Sequence, residues 1–285
     1  MTTLHVSDIL FPSLYKIFAE KKRHEIADAH LAMGFIGLYE NDNQEKYIKT
    51  MDDAGIDKCF VSCIFYGDSK TNIDIVHKFV SQNPKRFGGF AHISSNYIDE
   101  AIPELERSFK TLGMKAVKIY PPYSRYPVTH PSWMPIFEWC NENHIPVKSH
   151  TQYGGTGYMV NDDLAWSDLA GRPILFIELA QKFPNIKWIL AHAGNMQEGR
   201  EECVQAAIEC PNIYLEICTS YGDQGTIEYL VDSVGDDRIL YGSDIPLMDP
   251  RFHIGRIITA NIPLESKKKI LGLNAIKLLE LTEFE

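Results

Sequence analysis

The chain lacks any run of about 18 consecutive apolar residues, the minimum for a membrane-spanning helix. It has no Cys-x-x-Cys pair, no Gly-x-Gly-x-x-Gly turn after its first predicted strand, and no low-complexity or linker-like segment. Each absence excludes something: a transmembrane anchor, a zinc-ribbon or thioredoxin-type motif, a dinucleotide fingerprint and a tethered second domain. Basic residues are also scarce, 28 against 38 acidic, for a net charge of −10. Such a surface repels phosphate backbones and anionic lipid, so neither nucleic acid nor a membrane surface is expected as a partner. The segment Met1–Glu20 has no charged start followed by an apolar core, so no signal peptide is expected. Six cysteines, Cys59, Cys63, Cys140, Cys203, Cys210 and Cys218, are few for 285 residues. A chain of that length does not need disulfides, and the expectation is buried free thiols in a reducing cytoplasm.

What is there is rhythm. Short β-rich runs alternate with longer amphipathic segments along almost the whole chain. The predicted strands are Glu25–Leu31, Lys58–Phe65, Phe87–Ile93, Met114–Tyr120, Ile145–His150, Lys187–His192, Asn212–Ile217 and Arg238–Ser243. Each is mostly apolar, as in parallel strands buried on both faces. Helices are predicted over Thr71–Ser81, Asp99–Leu112, Pro173–Phe183 and Gln197–Glu209, with Asn83-Pro84, Pro184-Asn185 and Pro211-Asn212 as stops before strands. Eight β-α units close naturally into a (β/α)₈ TIM barrel, with a doubly wound open sheet as the competitor. The expected organisation is one domain: an N-terminal helical extension over 1–24, barrel strands and helices over 25–248, and closing helices over 249–285 with Pro250 and Pro263 as breaks. A homodimer is the assembly such an extension suggests, without a residue pattern that requires it.

In barrels of this kind chemistry sits at the C-terminal ends of strands, where the loops converge. The first predicted strand ends at His30, the fifth at His150, the sixth at His192 and the eighth at Ser243-Asp244. Singly, a strand-end His is more often a hydrogen-bonded structural residue, and a Ser-Asp an ordinary helix N-cap. Four strands ending this way, with three of only ten histidines among them, point to a shared site.

The segments Asp28-Ala29-His30, Lys118-Ile119-Tyr120-Pro121-Pro122, Ser149-His150, Ala191-His192-Ala193-Gly194-Asn195 and Tyr241-Gly242-Ser243-Asp244 together resemble the amidohydrolase superfamily. The resemblance is greatest to its amidohydrolase-related (amidohydrolase-2) branch, which includes decarboxylases and lactonases acting on small carboxylated substrates. It runs from about Ile26 to the C-terminus. It implies that His30, His150 and Asp244 bind a divalent metal, usually zinc, and that His192 holds or deprotonates an attacking water or is a further ligand. Imidazole and carboxylate donors suit zinc, and an open position lets the metal acidify water. One departure matters: the family closes its first strand with two histidines spaced by one residue, and the second position here is Ala32, which cannot donate. The metal is then held by His30, His150 and Asp244 with His192 or waters, or is supplemented by Lys118, or is absent with acid–base chemistry remaining.

The pocket would be finished by the loops. Lys118 and Tyr120 end the predicted fourth strand and Arg125 follows, able to grip a carboxylate; three glycines, Gly154, Gly155 and Gly157, loosen the loop after His150. Lys148 and Glu216 are expected to pair inside the barrel. The leading expectation is a metal-dependent hydrolase cleaving a C–O or C–N bond of a small carboxylate-bearing molecule, with His192 and Asp244 moving protons and Lys118, Tyr120 and Arg125 holding the anion. The alternatives are a lyase, such as a decarboxylase or hydratase, on the same residues, and a metal-free lactonase-like or inactive barrel.

Overall fold

The computed structural model describes residues 44–63, 68–94, 97–121, 126–153, 171–219, 222–245 and 248–281. Seven strands run in chain order through one parallel sheet: β1 Cys59–Val61, β2 Phe87–His92, β3 Ala116–Ile119, β4 Val147–His150, β5 Trp188–Ala191, β6 Ile213–Glu216 and β7 Ile239–Leu240. Every neighbouring pair is parallel and sequential, so the sheet curls into a TIM barrel whose C-terminal strand ends share one rim. The expected first strand, Glu25–Leu31, and the helical extension over 1–24 lie outside the described residues. The strand expected fifth is therefore β4, and each described strand falls inside its predicted run.

Helices return the chain between strands. They are α1 Gln44–Ala54, α2 Ser69–Val80, α3 Ile98–Lys110, α4 Met134–Glu142, α5 Phe176–Lys182, α6 Gln197–Glu209, α7 Thr226–Val234, α8 Pro250–Thr259, α9 Leu264–Lys268 and α10 Asn274–Leu278. The start of α2 shows why: Asp68 accepts from the Thr71 backbone N–H at 2.7 Å, and Ile73, Val76 and Phe79 bury one face. The segment Pro173–Phe183 opens as a 3₁₀ turn, Pro173–Leu175, before becoming α5. Pro250 does not break a helix but begins one. Its missing N–H costs nothing at the first position, and Asp249 caps Arg251 N–H at 2.9 Å. Pro263 likewise precedes α9.

The outer layer of the core is aromatic. Trp188 on β5 packs edge-on against Phe137 of α4 (4.9 Å between centroids) and Phe176 of α5 (5.6 Å), and both tryptophan and phenylalanines are fully buried. This layer anchors β5, the strand that His192 follows. Among the described residues all six cysteines are free thiols, with Cys59 half-buried and the rest buried. No helix among those residues is long and apolar enough to cross a membrane.

Candidate active site

His150 ends β4 and His192 follows β5, and Cα pairing aligns His150 with Ala191. Their rings meet, His192 Nε2 lying 3.0 Å from His150 Nδ1. The proton positions follow from the partners. His192 Nδ1 is 2.8 Å from the Cys218 carbonyl oxygen, which can only accept, so Nδ1 carries the proton. Nε2 then offers a lone pair, and His150 Nδ1 donates to it. His150 Nε2 is left as an acceptor facing the Gln152 amide at 3.0 Å. Turned so that its nitrogen donates there, Gln152 satisfies a buried NH₂ that otherwise has no partner. Both rings are held neutral. Burial, then the neighbouring His192 and Lys118, push His150 well down. Burial also lowers His192, against the opposing pull of Asp244 and Glu216.

The turn that presents His192 is strained. His192, Ala193, Gly194 and Asn195 all have positive φ (68°, 43°, 78° and 66°), and Asp244 has φ 55°. A non-glycine residue pays about 1–2 kcal/mol for that conformation. Such strain persists only where the surroundings over-determine it, and it gathers at functional sites. Here the surroundings are specific. Thr219 Oγ1 donates to Asn195 Oδ1 at 2.7 Å, and Thr151 Oγ1 donates to the Ala191 carbonyl at 2.6 Å. Gly194 abuts Gly199 of α6 so closely that a Cβ on Gly194 would lie 2.0 Å from the Gly199 carbonyl oxygen.

The main clamp is Glu216, the last residue of β6. One carboxylate oxygen accepts from His192 N–H and the other from Cys218 N–H, both at 3.2 Å. Lys148 supplies the counter-charge at 3.6 Å, the ion pair expected from strand alternation. Burial alone would raise the Glu216 carboxyl; Lys148, His192, a hydrogen bond from the Cys218 side chain and the His192 backbone N–H outweigh it and bring it to about 2. Gly242 makes room, since a Cβ there would lie 1.2 Å from Glu216 Oε1. The glycine of the Gly242-Ser243-Asp244 segment is thus a packing requirement of Glu216.

These groups border one cavity of about 490 Å³ whose wall includes Lys118, Tyr120, Lys148, His150, His192, Glu216, Cys218 and Asp244. The Tyr120 ring lies 6.0 Å from His150 and 5.3 Å from His92, and its hydroxyl donates to the Cys63 carbonyl at 3.4 Å. Of the residues singled out in the sequence, the structure brings together Lys118, Tyr120, His150, His192 and Asp244. His30, Ala32, Arg125 and the glycines 154, 155 and 157 lie outside the described residues.

Among the described residues, three metal-type donors lie within 4.8 Å of one another: His192, Glu216 and Cys218. They make a poor ligand set. The Glu216 oxygens are already committed to two backbone N–H groups, and burial, with Glu216 and Asp244 nearby, drives the Cys218 thiol well upward and disfavours its thiolate. His150 and Asp244 face the same cavity with imidazole and carboxylate, donor types that fit a divalent cation, and His150 Nε2 carries a lone pair that can turn from Gln152 to an ion.

The sequence reading overlooked several contributors. His92 ends β2 by the same rule that marked the other histidines; its Nδ1 accepts from Asn72 at 2.9 Å, and burial, with Lys118 second, lowers it to about 3. Gln152, the Cys218 carbonyl and the bidentate role of Glu216 depend on backbone geometry that carries no sequence signal.

A strained strand-end turn, paired histidines and an acid over a barrel mouth define an enzyme site of the amidohydrolase type. The sequence profile of the family described as Amidohydrolase (Amidohydro_2) matches residues 65–281, and the chain belongs to that family. In an alignment of 241 positions covering 73% of this chain, it is 27% identical to 2-amino-3-carboxymuconate-6-semialdehyde decarboxylase of Dictyostelium discoideum, and it spans 65% of that relative, just under two thirds. Its fold is similar to 5-carboxyvanillate decarboxylase from Sphingomonas paucimobilis, with TM-score 0.68, 18% identity, and coverage of 85% of this chain and 84% of that one. It is also similar to dihydroxybenzoic acid decarboxylase from Polaromonas sp. JS666, whose structure holds manganese and the inhibitor 2-nitroresorcinol. There the TM-score is 0.66 and the identity 22%, with 85% of this chain and 87% of that one covered.

Proposed function

We propose that the protein is a lyase that removes carbon dioxide from a small carboxylic acid. The observation that carries the reading is the His150–His192 contact at 3.0 Å on a cavity wall shared with Lys118 and Asp244. Hydrolysis of a C–O or C–N bond, the first expectation from the residues, uses the same groups; the relatives' names favour the lyase alternative.

Decarboxylation breaks the bond to the carboxylate carbon, leaves an electron pair on its neighbour, and requires a proton to replace the departing CO₂. Lys118 and Tyr120 bind the substrate anion, and Arg125 completes the grip. His192 Nε2, whose lone pair accepts from His150 at rest, is the atom that takes up a proton and passes it to the substrate carbon, because Nδ1 is committed to the Cys218 carbonyl. A ring whose imidazolium is disfavoured by burial gives its proton up readily. Asp244 provides the charge that draws that proton in. His150 and Asp244, with His30, would hold a divalent metal, zinc or manganese, which when bound supplies Lewis acidity toward the substrate's oxygens. A second reading, favoured by Ala32, keeps the same acid–base groups in a metal-independent enzyme.

The test is a panel of aromatic and enol carboxylic acids assayed for CO₂ release, beside lactones and amides assayed for hydrolysis. Manganese-loaded, zinc-loaded and chelator-treated protein are compared. CO₂ release from at least one acid is expected; turnover confined to the lactones or amides would overturn the reading.

A further inference from the structure

Two lysines stand side by side inside the barrel. Lys118 on β3 and Lys148 on β4 are direct cross-strand partners, and the Lys118 side chain is buried. Two carboxylates face them: Glu216, which lies 3.6 Å from Lys148, and Asp244 on the same cavity wall. Among the described residues Lys118 has no carboxylate within the 4.0 Å of an ion pair; its amine sits 4.5 Å from the centre of the Tyr120 ring, on the cavity wall. A strongly hydrated ammonium buried beside a second ammonium, without its own counter-ion, loses its proton easily. Burial first, then Lys148, bring Lys118 down to about 7, against the opposing pull of Glu216, Cys218 and Asp244. Near neutral pH both forms are present: the ammonium draws in a carboxylate, and the free amine meets a carbonyl carbon. Desolvation and a neighbouring cation are the two devices that turn a lysine into a nucleophile.

We propose that Lys118 is a covalent capture site that forms a reversible imine with small aldehydes and keto acids entering the cavity. The amine nitrogen bonds to the carbonyl carbon while the C=O π pair moves to oxygen, and a proton passes from nitrogen to that oxygen. The resulting carbinolamine loses its C–O bond and releases water, leaving C=N. Nothing is oxidised or reduced, and no further reactant is needed. The adduct does not depend on the lyase reading, because it forms whether or not carbon dioxide is then lost.

The test uses glyoxylate as probe, sodium cyanoborohydride to fix any imine as a carboxymethyl-amine, and peptide mass spectrometry to locate it at neutral pH. Labelling of Lys118 at least about tenfold faster than the exposed Lys49 and Lys110 is expected. Lys118→Arg keeps the cation and loses the internal label while the exposed sites label as before. Should that variant fail to fold, Lys118→Met serves instead, since it removes the buried charge along with the amine. Labels confined to exposed lysines in the wild-type protein, or no label at all, would overturn the proposal.

Discussion

Replacing Glu216 by Gln tests how the site is held together. The substitution keeps shape and removes charge. In the native protein the two carboxylate oxygens accept from His192 N–H and Cys218 N–H, and Lys148 neutralises the charge. A glutamine offers one oxygen; its NH₂ must face the second backbone donor, and the half-buried Lys148 is left without its partner. Two routes give the size of the loss. Breaking one side of a buried ion pair costs about 3–5 kcal/mol. Independently, a carboxyl brought from 4.5 to about 2 carries about 3 kcal/mol, at 1.36 kcal/mol per unit. Because the folded-state value is depressed, this stability is fully present above pH 4.5 and is lost as pH falls toward 2. Glu216→Gln should therefore lower Tm at neutral pH by roughly 6–12 °C and flatten the acid limb of the Tm–pH curve. Adding Lys148→Met should recover part of the loss, since the orphaned ammonium goes with it. Scanning calorimetry of wild type and the two variants between neutral pH and pH 2 is the assay. A Glu216→Gln protein melting within a degree of wild type, with an unchanged acid limb, would refute the clamp.

Other outcomes follow from the same geometry. Gly242→Ala should destabilise by at least about 3 kcal/mol, because its Cβ would lie 1.2 Å from Glu216 Oε1 and the carboxylate must leave its donors; a near-native melting curve would count against it. His192→Asn should reduce turnover on any accepted acid by about 10²–10⁴-fold, the usual worth of a positioned acid–base group, whereas steady-state rates within a few-fold of wild type would remove His192 from the chemistry. The buried His92, lowered to about 3, favours the folded state fully above pH 6.5 and progressively less below it. His92→Gln, which keeps an acceptor for Asn72, should lose less Tm than wild type between pH 6.5 and 4, and identical slopes would contradict this.

The fold was legible because parallel strands buried on both faces are continuous apolar runs, and seven of them stand where periodicity placed them. Prolines were read less well: Pro250 breaks a pattern in sequence but starts α8, since its cost depends on which N–H it removes. Lys118, Tyr120, His150, His192 and Asp244 share a cavity because polar residues closing apolar strands face the same rim. His92 obeyed the same rule and could have been found by it. Glu216 announced itself only as a charge on a core strand; its grip on two backbone N–H groups depends on the left-handed turn at His192 and the missing Cβ of Gly242. The reaction class was not legible either, because water attack and carbon dioxide loss call on the same imidazole and carboxylate donors.

Crystals grown with manganese and measured at its absorption edge test the central claim most directly. An anomalous peak bonded to His150 and Asp244 at the mouth of the barrel is the predicted result. A peak held instead by Glu216 and Cys218, or no peak in crystals of protein that still releases carbon dioxide, would contradict the account.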